Sequence, residues 1–221
     1  MLDRAIAMAE QSGNAATLAI ALNNRSLVLQ RLSRYDEAHR DVLAAREVND
    51  ANGSLGITAD ILDTLGALLV RTGDLEAAEE QLQAALTIHR DPDVHNRAAA
   101  GLTLHHLGEL RSAQDRPEEA LQLYQEARTI AEEVGEPDLA TMARLAAGQA
   151  LCALDRWAEA TEEYAAAHTL ASQTGNRRDE AAALTGSGRI AAHNGDETTA
   201  RQCREQALGI LREIREGPAG A

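Results

Sequence analysis

His105 and Glu109 are four residues apart, which on a helix puts an imidazole and a carboxylate on one face, a spacing that metal ligands use. His106 follows directly and points elsewhere on the same helix, so the two imidazoles do not chelate together. No other His or Cys has metal spacing with them, and neither a metal nor a cofactor is expected. Cys152 and Cys203 are the only two cysteines and read as reduced thiols packed as small hydrophobes. Gly186-Ser187-Gly188 lies inside a helical pattern, which makes it a close-packing feature and not a phosphate loop. No P-loop, dinucleotide turn, nucleophile elbow or zinc-protease motif occurs, so no enzyme chemistry is expected.

Composition narrows the class further. The chain has 221 residues, a net charge of -14 and only 2% aromatics, with no Phe. Such acidity disfavours nucleic-acid contact, which needs a basic face. Two cysteines exclude a disulfide scaffold. The uncharged stretch from Gln11 to Asn24 is too short to span a bilayer, and the N-terminus lacks the order of a secretory signal. The expectation is a cytoplasmic protein with no membrane contact. All 21 cationic residues are Arg, which fits a high-GC bacterial genome or a surface selected for guanidinium groups.

The chain repeats itself. Ala38, Ala78, Ala120, Ala160 and Ala200 are spaced by 40, 42, 40 and 40 residues. Ala5, Ala45, Ala85, Ala127, Ala167 and Ala207 run in phase with them, as do Ser26, Gly66, Gly108, Gly148 and Gly188. Gly inside a helix costs about 1 kcal/mol relative to Ala, so a recurring mid-helix Gly implies a close helix crossing that offsets the cost. Each unit resolves into two helices. Ile57 to Thr72 is periodic through Ile61, Leu62, Leu65, Leu68 and Leu69. Gly73-Asp74 then breaks the pattern as C′ and N-cap, and Leu75 to Arg90 follows. Asp115-Arg116-Pro117-Glu118-Glu119 reads as N-cap, first-turn Pro and acids at the positive helix end. Gly195-Asp196 repeats the break, and Gly13, Gly53, Gly135 and Gly175 end second helices. The expected fold is all-α, a right-handed solenoid of antiparallel helix pairs.

These residues resemble the tetratricopeptide repeat. Leu62, Leu65, Gly66, Leu69, Gly73, Asp74, Ala78, Leu82 and Ala85 follow its consensus; so do Leu104, Leu107, Gly108, Ala120, Tyr124 and Ala127, and Gly148, Leu151, Ala160, Tyr164 and Ala167. The long period resembles kinesin light chains and the C-terminal arrays of actinobacterial-type multidomain regulators. The division expected is an incomplete repeat at 1–14, five repeats at 15–54, 55–95, 96–136, 137–176 and 177–214, and a disordered tail at 215–221. Because Met1 to Gly13 aligns with the end of a second helix, the chain reads either as a piece of a longer protein or as a repeat array with one capping helix.

The resemblance also implies where a ligand lies. In this family the first helix of each pair lines the concave face. Carrying the repeat positions across gives Asn23, Asp63, His105, Glu109, Gln149 and Arg189 as polar groove residues. The family's carboxylate clamp needs a Lys, which is missing, so a chaperone-tail ligand is not expected. Asp60, Asp63 and Glu109 suggest a ligand with some positive charge. The acids of the second helices, including Glu79 and Glu163, read as a solvated outer face, and Tyr35 and Trp157 as core. The implied function is non-catalytic binding of a protein or peptide, as the sensing or regulatory part of a bacterial transcriptional or signalling regulator. Its partner would be a peptide or an upstream domain of its own full-length chain. The alternative is a self-associating, homo-oligomeric scaffold.

Overall fold

The computed structural model describes residues 2–216. Eleven helices occur among them: α1 (Leu2–Ser12), α2 (Ala15–Arg31), α3 (Tyr35–Asn52), α4 (Leu55–Thr72), α5 (Leu75–Arg90), α6 (Arg97–Ala113), α7 (Pro117–Val134), α8 (Pro137–Ala153), α9 (Trp157–Thr174), α10 (Arg177–His193) and α11 (Glu197–Glu216). They form two compact units, Met1–Gln114 and Asp115–Ala221. Helix α11 runs to Glu216, two residues into the segment read as tail; the rest of that tail lies outside the described residues.

Each unit is built on one rule. The first helix of a pair packs on its second helix, as α2 on α3, α4 on α5, α8 on α9 and α10 on α11. First helices of successive pairs also pack on each other, α2 on α4 and α4 on α6 in one unit, α8 on α10 in the other. Second helices reach the next pair through its first helix, α3 on α4, α5 on α6, α7 on α8 and α9 on α10. The even-numbered helices are therefore the inner layer of each unit, and side chains placed mid-helix on them lie beside one another.

The small-residue series explains the close contact. A Cβ added at Gly66 would come 2.5 Å from Leu82 Cγ, and one at Gly148 would come 2.9 Å from Tyr164 Cζ. Ser26, which stands where the other pairs have Gly, is fully buried and donates its hydroxyl to the Ala38 carbonyl at 2.9 Å. The bond satisfies a polar group that burial would otherwise penalise. Ala38, Ala45, Ala78, Ala85, Ala120, Ala127, Ala160, Ala167 and Ala200 are completely buried.

The turns correct one expectation. Gly73 takes the left-handed conformation at φ 89°, and Asp74 caps α5 by accepting from the Ala77 amide, as the sequence suggests. Asp115, however, is not the N-cap of α7. It occupies the left-handed slot at φ 58°, in register with Ser33, Gly73, Asp155 and Gly195, and Arg116 holds the cap position. Arg116 makes no side-chain capping bond; its guanidinium grips Glu119 one turn on. Arg34 grips Glu37, and Arg156 grips Glu159, in the same way.

Candidate functional site

In the first unit, one register on successive inner helices carries Asn23 on α2, Asp63 on α4 and His105 on α6. The sequence reading places them on an open groove. The structure buries them, at 8%, 6% and 5% exposure. The reason is the direct packing of α2 on α4 and of α4 on α6, which draws this register into the helix–helix seam. Glu109, one turn further along α6, is half-buried.

The seam holds a connected set of polar groups. His106 Nδ1 lies 3.1 Å from both carboxylate oxygens of Asp63, joining α6 to α4. His105 Nε2 lies 4.0 Å from Glu109 Oε1, and Arg71 Nη2 is 3.9 Å from that same oxygen. The two imidazoles meet edge to face, centroids 5.8 Å apart. Burial pushes His105 down to about 4, outweighing the pull of Glu109. Burial also opposes a charge on His106, yet the Asp63 carboxylate prevails and holds that imidazole above its ordinary value. His106 is the seam residue that the set of polar groove residues drawn from the repeat positions leaves out. Its signal was present: 43 residues separate it from Asp63, one repeat plus one position.

Toward α2 the seam changes character. Gln30 donates its amide to the Thr64 carbonyl at 3.3 Å. The Asn23 side-chain oxygen is buried and has no hydrogen-bond partner among the described residues. Ile20 and Leu27, three residues before and four after Asn23, share its helix face and are 46% and 37% exposed. At the other side of α2, Arg25 binds Asp41 through two nitrogens at 2.6 and 2.8 Å and Asp3 at 2.8 Å, tying α1, α2 and α3 together. A cavity of about 550 Å³ opens there, lined by Leu2, Val28, Leu32 and Arg34 among others. On α5, His89 is buried with its Nδ1 unpartnered and its Nε2 3.8 Å from Asp60. Burial lowers His89 and raises Asp60.

In the second unit, Gln149 on α8 and Arg189 on α10 are exposed. Arg189 donates to the Tyr164 hydroxyl at 3.3 Å, and burial pushes that phenol up to about 12. Glu163 is not a solvated outer acid. Arg128 and Arg144 converge on it, and Arg144 also binds Glu132 at 2.8 Å, which knits α7, α8 and α9. Glu79 likewise binds Arg111 in the first unit at 2.6 and 2.9 Å. Trp157 and Tyr35 are half-buried and pack against the apolar clusters of their own units, as expected of core residues, and Trp157 also stacks on exposed His193 at 3.7 Å. A shallow groove of about 490 Å³ runs past Ala131, Pro137, Ala140, Ala166 and Leu170. Among the described residues no group of three His, Cys, Asp or Glu side chains is placed to hold a metal ion, and no helix is long and apolar enough to cross a membrane.

Antiparallel helix pairs with a repeated small-residue crossing and a polar inner seam define a helical-repeat protein. The tetratricopeptide repeat model matches residues 17–91 and 57–133, together more than half of the chain, and the chain belongs to that family. No curated protein matches the sequence. Among solved structures, BtubC (BKLC) from P. vanneervenii aligns over 100% of this chain and 92% of its own, with a TM-score of 0.76 and 15% identity. A signal transduction ATPase with numerous domains, carrying a tetratricopeptide repeat sensor, from Pyrococcus horikoshii aligns over 93% of this chain and 34% of its own, with a TM-score of 0.68 and 14% identity. A kinesin light chain with nearly identical repeats from Podosopora anserina covers 92% of this chain and 99% of its own, with a TM-score of 0.64 and 15% identity. At these identities the likeness is one of fold.

Proposed function

We propose that this chain is a non-catalytic module that binds a protein or peptide segment on its inner helices. The observation that carries the reading is the face of α2. There a buried acceptor without a partner, Asn23 Oδ1, stands between two exposed apolar side chains, Ile20 and Leu27. A buried unsatisfied oxygen is costly unless something donates to it, and turning the Asn23 amide outward between Ile20 and Leu27 would let it accept from a peptide N–H. Glu109 supplies a further polar contact in the first unit, where Asp63 and His105 fix the seam beside it; in the second unit, taken by itself, Gln149 and Arg189 are the polar groups offered by the inner helices. No cofactor, membrane or nucleic acid enters this reading. The family fold supports protein or peptide binding, and the sensor repeat of the Pyrococcus horikoshii ATPase supports a sensing role; the setting we infer for it is a bacterial cytoplasmic regulator, with a peptide or the regulator's own upstream domain as ligand.

The test is selection of peptides from a displayed library on the wild-type protein, then affinity measurement on Asn23→Ala and Leu27→Asp. Binding should weaken by roughly tenfold or more in each, as expected for a lost buried hydrogen bond or apolar contact. Peptides that bind both variants as tightly as wild type would remove the α2 face from the reading. A second reading, self-association, has its own observation: Leu208, Leu211 and Ile214 on α11 are 52%, 45% and 40% exposed, whereas Ala131 and Ala171, in the register of Leu211, are fully buried. A strictly monomeric mass across a hundredfold concentration range would dismiss it.

A further inference from the structure

We propose that the joint between the inner helices α4 and α6 is held by a proton, with a charged His106 clasped by Asp63, so that the binding face loosens as pH rises. This deepens the reading of the inner helices as a binding face and rests on it. The geometry comes first. Both Asp63 oxygens lie 3.1 Å from one nitrogen of His106, and the two side chains are only 9% and 12% exposed. No other hydrogen bond to the Asp63 carboxylate is found among the described residues. A buried carboxylate needs a positive partner close by.

The surrounding charges leave His106 as that partner. From α4 come Asp63, Arg71 and, one turn earlier, Asp60. From α6 itself come His105 and Glu109. Arg71 lies against Glu109, and His105 is held neutral by burial down to about 4. From α5, His89 faces Asp60, and Glu79 is paired with Arg111 further along α6. Helix α2 reaches α4 through the neutral Gln30 amide. With Arg71 set against Glu109, a neutral His106 would leave the Asp63 charge uncompensated inside the seam, and a protonated one balances it.

The pH window follows from the two imidazoles. His106 is raised above 6.5, so its stabilisation is complete below 6.5 and is lost as pH climbs through its folded value. His105 is lowered from 6.5 to about 4, so its stabilisation is complete above 6.5 and is lost on acidification toward 4. Both are in place near pH 6.5. As pH climbs through the folded value of His106, Asp63 loses its counter-charge and α4 is no longer bound to α6 by an ion pair.

The test is an NMR titration of the imidazole resonances of the full chain, with amide protection factors measured along α4 and α6 and no peptide added. The midpoint of His106 should lie above 6.5 in the wild type and fall below 6.5 in Asp63→Asn. Protection in α4 and α6 should drop between pH 6.5 and 9 by about tenfold for each pH unit by which the wild-type midpoint exceeds 6.5, and should stay level in the variant. A wild-type midpoint at or below 6.5 overturns the proposal, as does a midpoint that Asp63→Asn leaves in place. Should Asp63→Asn not fold, His106→Gln replaces it, and an alkaline loss of protection persisting there has the same force. Because no ligand is used, failure of peptide binding and failure of the clasp are read separately.

Discussion

Tyr164 is trapped between two glycines, and that makes Gly186→Ala a severe change at a residue where Ala ordinarily helps. A Cβ at Gly186 would lie 2.3 Å from Tyr164 Cε1, 2.4 Å from Cζ and 2.5 Å from Cδ1, where ordinary contact begins at 3.4 Å. The ring must retreat by about 1 Å, taking those distances against ordinary packing contact. It has nowhere to go. A Cβ at Gly148 on α8 would itself meet the ring at 2.9 Å, the residue is 2% exposed, and its hydroxyl is held by Arg189. Overpacking of this kind costs roughly 1–3 kcal/mol, and expelling an aromatic ring costs roughly 3–5 kcal/mol. Against this stands a helix-propensity gain of about 1 kcal/mol. The net expectation is a loss of roughly 2–3 kcal/mol, a fall in Tm of roughly 4–12 °C for a chain of this size. Gly209→Ala on α11 is the control: nothing lies within 4 Å of its Cβ position, so it should stabilise by up to about 1 kcal/mol. Thermal unfolding followed by the emission of Trp157, the only Trp and a neighbour on α9, reads the second unit directly. If Gly186→Ala matched Gly209→Ala, the close crossing of α9 and α10 would not exist as described.

Two further outcomes follow from the same packing. Glu163→Gln removes the carboxylate on which Arg128 and Arg144 converge, with exposures of 15%, 27% and 20%, and should cost roughly 2 kcal/mol in a urea titration; an unchanged midpoint would show that the three groups are solvated and independent. His105→Gln should flatten the acid limb of stability: the wild type should lose roughly 3 kcal/mol between pH 6.5 and 4 as the buried imidazole is forced to charge, and a wild type equally stable at both would refute the buried neutral His105.

The helix pairs were legible because their determinants are local or periodic. Small residues at one register mean a close crossing, and Gly148 opposite Tyr164 within one pair realises it. What was not legible depends on radial position. Asp63 was read as open because a polar residue mid-helix suits a wet face, but the direct packing of α4 on α6 draws it inward. Glu79 and Glu163 were read as solvated for the same reason. Their Arg partners lie 32 and 35 residues away for Arg111 and Arg128, distances that no helical face pattern encodes. Asp115 was assigned as N-cap from its place before Arg-Pro. The recurring left-handed slot at Ser33, Gly73, Asp155 and Gly195 carried the better signal, since register constrains the turn more strongly than residue type does.

The two units also differ in a way that bears on function. The register holding Asn23, Asp63 and His105 in the first unit holds Leu145 and Thr185 in the second. Leu145 is buried in the apolar cluster of α7, α8, α9 and α10, whereas Thr185 is exposed and turns its hydroxyl back to the Ala181 carbonyl of its own helix. Where this register is buried in the second unit it is filled by an apolar side chain, Leu145, and an apolar seam is in general at least as stable as a buried ion pair. Three successive polar residues at that register, one with an unpartnered oxygen and one clasped to His106, are not required by the fold that the second unit builds without them. Their cost in the first unit is the physical reason to place recognition there.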